Sequence, residues 1–390
     1  MYTAITNARV IVPHGVLERG TVVFSQDGIA YVGDFLPSEY QPVTTVDGTG
    51  KTLMPGLIDA HVHITMEPDA NPWLRMNDSD ALIALRAARN AHATLAAGFT
   101  TVRDLGAKNY IDLSLRDAIK QGVVQGPHML AAGKCICMTG GHGWMMGREA
   151  DSPDEARKAA REQLKAGADV IKIMATGGVM TPGVEPGAQQ LTREEMAAAI
   201  SEAVKAGKKT ATHAQGRTGI MEAVLAGIHS VEHGFYLDAE LCEEMVRRGV
   251  YLVPTLVAPY WIVEKGIEAG IPVWAVDKAK ASQEAHLKSF ELAVQSGVKV
   301  AMGTDAGTPF NRHGKNALEL ELMVKSGLSP RQAIESATLA AADLLGISNL
   351  TGDITQGKRA DLVLVEGDPL QDIKLLQTSI VKVWKDGVLI

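Results

Sequence analysis

Histidine residues occur in a close pair at the end of a short apolar segment, in the sequence His61-Val62-His63. In a β-strand, residues i and i+2 point to the same face, so both imidazoles could reach one point, as a metal site requires. A single His-x-His pair is a weak signal, because such pairs also occur by chance. The pair therefore needs support from the rest of the chain.

Further apolar segments end in polar residues of a related kind. Each of these residues alone could be a buried group with satisfied hydrogen bonds, or a cap at the end of an element. Taken together with the histidine pair, they supply imidazole, amine and carboxylate groups of the kind that bind divalent metals. The residues are Lys172, His213, His233 and Asp305.

Lys172 lies inside the apolar segment Val-Ile-Lys-Ile-Met at residues 170–174. A buried ammonium is costly unless it is paired or neutralised. Two interpretations are open from the residues alone. The side chain could extend towards solvent along its aliphatic stem. Alternatively, its amine could react with CO₂ to give a carbamate, an anionic ligand that bridges two metals.

The elements that would position these side chains alternate between strand and helix. Ala-rich, charged segments with helical periodicity, such as residues 79–97 and 192–206, separate short apolar segments. This alternation predicts an α/β fold with a parallel sheet, and eight repeats predict a closed, TIM-like (β/α)₈ barrel. An open doubly wound sheet is the alternative, and it typically has a Gly-rich phosphate-binding motif after the first strand. This chain has Ala-His-Val-His at that place, which argues against the open sheet. The predicted strands are residues 57–64, 100–105, 128–132, 170–175, 210–214, 230–234, 250–254 and 300–305.

A barrel of this kind has its active site at the C-terminal ends of the strands. Predicted strands 1, 4, 5, 6 and 8 end at the histidine, lysine and aspartate residues described above. The sequence therefore predicts a metal site at that end of the barrel.

Both ends of the chain have strand character of a different kind. Residues 4–12 and 20–34 are rich in Val, Ile and Thr, and residues 360–365 and 380–384 are similar. Asp386-Gly387 is a strong hairpin turn pair. We therefore predict a small β-sandwich domain formed by residues 1–55 together with 355–390, and a barrel domain spanning residues 56–354.

Composition and charge exclude several classes of protein. The 390 residues are 46% hydrophobic, which is enough for a large core, and the net charge is −7. The sequence shows no basic face of the kind that binds nucleic acid, so we expect no nucleic-acid partner. No apolar run reaches the roughly 18 residues of a membrane span, so we expect no membrane partner. The N-terminus lacks the features of a signal peptide, so we expect a cytoplasmic protein. Three cysteines are too few for a disulfide framework, and Cys135 and Cys137 are expected to be small buried side chains.

The full pattern resembles the amidohydrolase superfamily. It consists of Met-Pro-Gly-Leu-Ile-Asp-Ala-His-Val-His at residues 54–63, followed by the lysine, histidine and aspartate residues named above. The segments Thr-Gly-Gly-His-Gly at 139–143 and Lys-Ile-Met-Ala-Thr-Gly-Gly at 172–178 resemble one branch in particular. That branch contains imidazolonepropionase-like proteins, Xaa-Pro dipeptidases, arginine/lysine carboxypeptidases and ochratoxin-cleaving amidases. The resemblance covers nearly the whole chain.

The resemblance implies two divalent metal ions, and Zn²⁺ suits the ligand types. A hydroxide that bridges the ions would attack the substrate amide, and Asp305 would carry a proton from it to the leaving amine. CO₂ would convert Lys172 to N6-carboxylysine, which would bridge the ions. The more buried ion would be bound by His61, His63 and Asp305, and the more exposed ion by His213 and His233.

Several further residues could act on the substrate or on the site. By the resemblance, His142 would touch the substrate carbonyl or the reaction intermediate. Tyr236 could donate a hydrogen bond to a substrate carboxylate or oxyanion. Asp104 could orient a ligand histidine, or pair with Arg103 or a backbone amide. Residues 176–190 are rich in Gly and Pro and could form either a mobile lid or an ordered surface loop.

We therefore expect a hydrolase that cleaves the amide bond of a small molecule, either a dipeptide or an N-acyl amino acid. A cyclic amidase or a deaminase could use the same scaffold. The deaminase relatives usually bind one metal and lack the bridging lysine, so Lys172 argues against deamination. A catalytically silent barrel is the alternative from another class, and the complete ligand set argues against it. Relatives often form homo-oligomers, and the sequence is compatible with one.

Overall fold

The computed structural model describes residues 1–41 and 43–390. Its strands are β1 (Tyr2–Val12), β2 (Gly15–Ser25), β3 (Gly28–Gly33), β4 (Val43–Asp47), β5 (Lys51–Pro55), β6 (Leu57–Val62), β7 (Phe99–Asp104), β8 (His128–Ala131), β9 (Cys135–Cys137), β10 (Gly147–Glu149), β11 (Val170–Met174), β12 (Lys209–Ala214), β13 (Ser230–His233), β14 (Tyr251–Val253), β15 (Lys299–Val300), β16 (Leu362–Glu366), β17 (Ile380–Lys385) and β18 (Val388–Leu389). Its α-helices are α1 (Asp80–Ala96), α2 (Ile111–Lys120), α3 (Pro153–Ala166), α4 (Arg193–Lys205), α5 (Arg217–Ala226), α6 (Ala239–Arg248), α7 (Val257–Lys265), α8 (Val273–Gln295), α9 (Leu318–Lys325), α10 (Pro330–Ser336), α11 (Leu339–Leu345) and α12 (Leu375–Thr378).

Eight parallel strands close into a barrel. β6, β7 and β8 form one parallel sheet, and β11 to β15 follow one another in a second sheet, which β9 and β10 extend. Backbone hydrogen bonds join the two sheets on both sides. The N–H of Asp169 donates to the carbonyl of Ala131 (2.8 Å), and the N–H of Ala60 donates to the carbonyl of Met302 (2.9 Å). The predicted (β/α)₈ barrel is therefore confirmed as the fold of the middle of the chain.

Helices begin and end where the sequence indicates. α3 follows Ser152, whose side chain accepts a hydrogen bond from the N–H of Glu155. α4 begins with a capping box in which Thr192 and Glu195 satisfy each other's backbone N–H groups. α3 ends at Gly167, whose φ of 95° lies in the left-handed region that favours glycine. These caps fix the lengths of the helices that surround the barrel.

The last strand of the barrel is less regular than predicted. β15 covers only Lys299–Val300, although the chain stays beside β6 to residue 305. The N–H groups of Thr304 and Asp305 both donate to the carbonyl of His61, at 3.2 and 2.7 Å. Gly303 permits this approach, because a Cβ there would lie 2.9 Å from His61. The irregular backbone places Asp305 next to the histidine pair.

Strands from both termini join in one mixed sheet of eight strands. Its order is β18-β17-β16-β5-β1-β2-β3, and β4 pairs with β1. β5 links the two ends of the chain, because it pairs with β1 on one side and with β16 on the other. A separate core that includes Ile5, Phe24 and Trp384 packs on this sheet. The sandwich arrangement and the domain boundaries after residues 55 and 354 stay predictions.

The cysteines are all free and buried. Cys135 and Cys137 pack in one apolar cluster with Met146 and Met174, which confirms that they act as small core side chains. Within residues 1–41 and 43–390, no helix has the length and apolar character needed to cross a membrane.

Candidate active site

The six predicted metal-site residues lie together at the C-terminal end of the barrel. The Nε2 atoms of His61 and His63 are each 3.4 Å from Oδ1 of Asp305. The ring of His233 is 5.2 Å from that of His61 and 4.5 Å from that of His213. The strands supply them in this order: His61 from β6, His63 just after β6, Lys172 from β11, His213 from β12, His233 from β13 and Asp305 after β15.

Two of these residues have strained backbone conformations. His233 has a φ of 75° and Asp305 a φ of 59°, in the left-handed region that only a few per cent of residues other than glycine adopt. Such conformations cost on the order of 1–3 kcal/mol and persist where the surrounding structure enforces them, often at functional sites. The strain is therefore consistent with selection for the position of the two side chains.

Hydrogen bonds fix the orientation of the histidine pair. Nδ1 of His63 lies 3.0 Å from the carbonyl oxygen of Gly106, and Nδ1 of His61 lies 2.9 Å from a carboxylate oxygen of Glu232. Because carbonyl and carboxylate oxygens accept, each Nδ1 carries the proton. Each Nε2 then keeps its lone pair on the side that faces Asp305. Lone pairs directed at one point beside a carboxylate are what a metal ion needs.

His233 is held from a different direction. Its Nδ1 lies 2.7 Å from Oγ1 of Thr255, which has a φ of 52°. The next two residues, Leu256 and Val257, donate their N–H groups to the two carboxylate oxygens of Glu319, at 2.8 and 2.7 Å. Glu319 is fully buried in α9. It therefore fixes the backbone that positions Thr255 and, through it, His233.

A buried ion pair supports His61 from behind. The guanidinium of Arg103 donates to Glu232 (3.0 Å), to Ser230 (3.1 Å) and to the carbonyl of Ala60 (2.6 Å). The second oxygen of Glu232 accepts from His61. Arg103 is 1% exposed and Glu232 is fully buried, so the pair lies out of reach of solvent. The chain Arg103–Glu232–His61 was not predicted from the sequence.

Asp104 takes the backbone role that was one of its predicted alternatives. Its carboxylate accepts from the N–H groups of Ile64 (2.7 Å) and Gly106 (3.1 Å), and no ion pair among the described residues joins it to a ligand histidine or to Arg103. Gly106 in turn accepts from His63. Asp104 therefore positions the histidine pair through the backbone.

Asp59 was also missed by the sequence analysis. Its carboxylate accepts from the N–H of His61 (3.0 Å), from the hydroxyl of Thr304 (2.6 Å) and from the amide of Asn316 (2.7 Å). Burial raises the pKa of Asp59 to about 6, and these hydrogen bonds oppose the rise. The residue ties the first strand of the barrel to the segment that carries Asp305.

Burial dominates the electrostatics of the site. It lowers the pKa of Lys172 to about 8, although the carboxylates of Glu232 and Asp305 favour the charged amine. It raises the pKa of Asp305 to about 7, against the influence of Lys172. Burial also lowers the pKa values of the site histidines, to about 4 for His63, so the imidazoles are neutral as metal ligands must be. The same effect of burial lowers the pKa values of the other three predicted ligand histidines, His61, His213 and His233.

The site forms one wall of a cavity of about 610 Å³. Four site residues line it, namely His63, His213, His233 and Asp305. The remaining wall is mainly apolar, and among the described residues that line it there is neither a lysine nor an arginine. The apolar side chains are those of Met66, Pro72, Trp73, Met146, Val179, Met180, Phe235, Ala258, Pro259 and Ile262.

The structure places the two predicted substrate-contact residues differently. His142 lines the cavity, where its ring lies 4.0 Å from that of His213 and its Nδ1 lies 2.6 Å from the hydroxyl of Thr181. Tyr236 is 38% exposed and does not line this cavity. The backbone N–H of Tyr236 donates to the carbonyl of Gln215. Gln215 lines the cavity, although the sequence analysis did not predict it.

Residues 176–190 form a loop over the cavity. Thr176 pairs with Gln189 in an antiparallel bridge. The indole N–H of Trp73 donates to the carbonyl of Met180 (3.2 Å), and the ammonium of Lys278 donates to that of Thr181 (2.8 Å). These contacts place the loop over the cavity, and both the mobile lid and the ordered surface loop stay predictions.

Residues 52–390 match the Amidohydrolase family. The chain belongs to this family. Among characterised amidohydrolases it is 33% identical to ochratoxinase of Aspergillus niger, over 96% of this chain and 83% of that protein. It is 25% identical to imidazolonepropionase of Paracoccus denitrificans, over 90% of this chain and 88% of that protein.

Solved amidohydrolase structures agree with this assignment. A Xaa-Pro dipeptidase with bound methionine in its active site is 35% identical, with a TM-score of 0.94 and full coverage of both chains. A prolidase in complex with N-methylphosphonate-L-proline is 31% identical, with a TM-score of 0.93, covering 100% of this chain and 99% of that one. The predicted family and branch are therefore confirmed, and the protein is a hydrolase that acts on amide bonds.

Proposed function

We propose that this amidohydrolase cleaves the amide bond of N-acyl amino acids or dipeptides that carry an apolar side chain. The observation that supports this most directly is the convergence of four imidazoles, an amine and a carboxylate beside an apolar cavity.

The donor set fits two divalent metal ions. The lone pairs of His61 and His63 face Asp305, and the neutral histidines need no deprotonation before they bind a metal. Imidazole, carboxylate and carbamate groups are ligands that suit zinc. The residues that would hold the ions are His61, His63, Lys172, His213, His233 and Asp305. Bound zinc would lower the pKa of water towards 7 and polarise the amide carbonyl.

Lys172 fits the bridging role as N6-carboxylysine. Its side chain is 1% exposed, and burial lowers the pKa of its amine to about 8, which favours the neutral form that reacts with CO₂. An unpaired buried ammonium is costly. Reaction of the neutral amine with CO₂ forms an N–C bond and releases a proton. The side chain then carries a carbamate anion instead of an ammonium cation. The carbamate would neutralise part of the charge of two ions.

Asp305 is placed to move the proton in the reaction. Its side chain is 13% exposed and lines the cavity beside His61 and His63. From that wall the carboxylate can accept a proton from the attacking water and donate it to the leaving nitrogen, which departs poorly as an anion. His142 lines the same cavity and would orient the substrate carbonyl.

The cavity wall supports a preference for apolar substrates. Outside the metal site, the residues that line the cavity offer no counter-ion to a charged substrate side chain. An unpaired charge in such surroundings costs several kcal/mol. This argues against the arginine/lysine carboxypeptidase activity within the same branch. The small-molecule partner is therefore an amide whose side chain is apolar.

A panel of N-benzoyl amino acids tests this proposal. Zinc-loaded enzyme should hydrolyse the phenylalanine and methionine derivatives with a kcat/KM at least about tenfold above that for the lysine and glutamate derivatives, given the cost of a buried charge. Asp305→Asn serves as the matched inactive control. Preference for lysine would overturn the assigned specificity. Opening of an imidazolone ring without cleavage of any linear amide would establish a cyclic amidase instead.

A further inference from the structure

A second group of potential metal ligands lies at the opposite end of the barrel. His128 begins β8, at the N-terminal end of a barrel strand. Asp361 directly precedes β16, and Asp386 lies in the turn between β17 and β18. The group therefore joins the base of the barrel to the sheet formed by the two termini, far from the catalytic end.

The three side chains converge, and Oδ1 of Asp361 also accepts from the backbone N–H of Asp386 (2.9 Å). Nε2 of His128 lies 3.4 Å from Oδ1 of Asp361 and 3.3 Å from Oδ1 of Asp386. Yet within the described parts of the chain this buried nitrogen has no hydrogen bond of acceptable geometry. The same holds for Oδ2 of Asp361, whose side chain is fully buried. Buried polar atoms without partners are rare and require an explanation.

Their spacing matches that of ligands around one metal ion. Histidine nitrogens bind Zn²⁺ at about 2.0–2.1 Å and carboxylate oxygens at about 2.0–2.2 Å, in tetrahedral geometry. Two such ligands are then about 3.3–3.5 Å from each other. The observed separations of 3.3 and 3.4 Å agree, and the ligand atoms of all three side chains lie within 4.8 Å of one another.

We infer that His128, Asp361 and Asp386 form a site for a zinc-type divalent cation that fastens the terminal sheet to the base of the barrel. One imidazole and two carboxylates supply three ligands, and water can complete the set. A surface cavity of about 1,340 Å³, lined in part by His128 and Asp386, gives an ion access from solvent.

Neighbouring cations do not occupy the site. The ammonium of Lys385 donates to the carbonyl of Gly126 (2.9 Å) and so is directed elsewhere. Arg359 lines the same cavity, and its positive charge opposes a bound cation there. A proton competes with the metal ion for His128. Burial lowers the pKa of this imidazole, but both carboxylates favour its charged form and raise the pKa above the usual value.

Zinc stoichiometry in matched variants tests the site. Full-length protein, stripped with chelator, is dialysed at pH 8 against buffered zinc and bicarbonate, and bound zinc is counted by mass spectrometry. His128→Gln should bind one zinc per chain fewer than wild type and hydrolyse its substrate at the wild-type rate. His14→Gln, which replaces an exposed histidine, should bind as many ions as wild type. Arg359→Gln should bind zinc at this site more tightly than wild type, and so should retain the ion at a lower concentration of free zinc.

Equal zinc content in wild type and His128→Gln would overturn the inference and leave a protonated histidine paired with two aspartates. If His128→Gln fails to fold, as judged by circular dichroism, Asp386→Asn provides the same comparison at a half-exposed side chain. The difference between variants does not depend on how many ions the catalytic end binds. Loss of catalysis in wild type would therefore overturn the proposed function and leave this comparison intact.

Discussion

Replacement of Glu232 by glutamine tests how strongly the buried chain Arg103–Glu232–His61 supports the metal site. The glutamine carbonyl can still accept from Arg103 or Ser230. Its amide group, however, places a donor against the protonated Nδ1 of His61, where the carboxylate oxygen was 2.9 Å away. His61 must then either turn away or move its proton to Nε2. Either change removes the lone pair that faces Asp305.

The expected effect on stability follows from the burial of the pair. Arg103 is 1% exposed and Glu232 fully buried, so water cannot replace the lost charge. Breaking a buried ion pair by removal of one partner costs about 3–5 kcal/mol. Loss of the residue that orients a metal-binding histidine typically weakens metal affinity by about 10–100-fold. Glu232→Gln should therefore show both changes.

Urea unfolding of the metal-free protein measures the first change, and zinc competition with a chelator measures the second. Glu366→Gln is the matched control, because Glu366 pairs with Lys51 at 3.8 Å but is 60% exposed. Glu366→Gln should lower the free energy of unfolding by less than about 1 kcal/mol. Adding Arg103→Met to Glu232→Gln should recover part of the stability, since no unpaired charge remains, but not the zinc affinity. Wild-type stability and affinity in Glu232→Gln would refute this reasoning.

Three other substitutions address the site directly. Lys172→Ala should lower the bound metal per chain, and short carboxylic acids should restore part of the activity; unchanged metal content would contradict a bridging role. Asp305→Asn should keep metal and lose most of its kcat, and near-normal turnover would exclude Asp305 as the proton carrier. Gly178→Ala should lower kcat/KM, because the new Cβ would lie 2.7 Å from the ring of His142. Gly15→Ala, where a Cβ meets nothing within 4 Å, is its control and should retain the wild-type kcat/KM.

The sequence was most informative where the chemistry depends on local spacing. His61 and His63 share one face because strand residues alternate, and the structure directs both Nε2 atoms at Asp305. The capping box of Thr192 and Glu195 likewise lies within four residues and could be read directly. Alternation of strands and helices was enough to predict the closed barrel.

Residues that act through long-range pairing could not be found in this way. Arg103 and Glu232 are 129 positions apart, and each alone is simply a charged residue inside an apolar strand. Lys172 gave the same signal and was recognised only because it also completed a ligand set. A general search for charged residues within predicted strands would have found all three. Tyr236 is near His233 in the chain but is not among the residues that line the cavity, so its contact with the substrate stays a prediction.

The most direct test of a binuclear amidohydrolase site is anomalous diffraction at the zinc absorption edge, from crystals loaded with zinc and bicarbonate. Two strong peaks should appear between the six site residues, with additional density for a carboxyl group on the amine of Lys172. A single peak, or none, together with an unmodified Lys172 would contradict the proposal and favour a mononuclear or catalytically silent barrel.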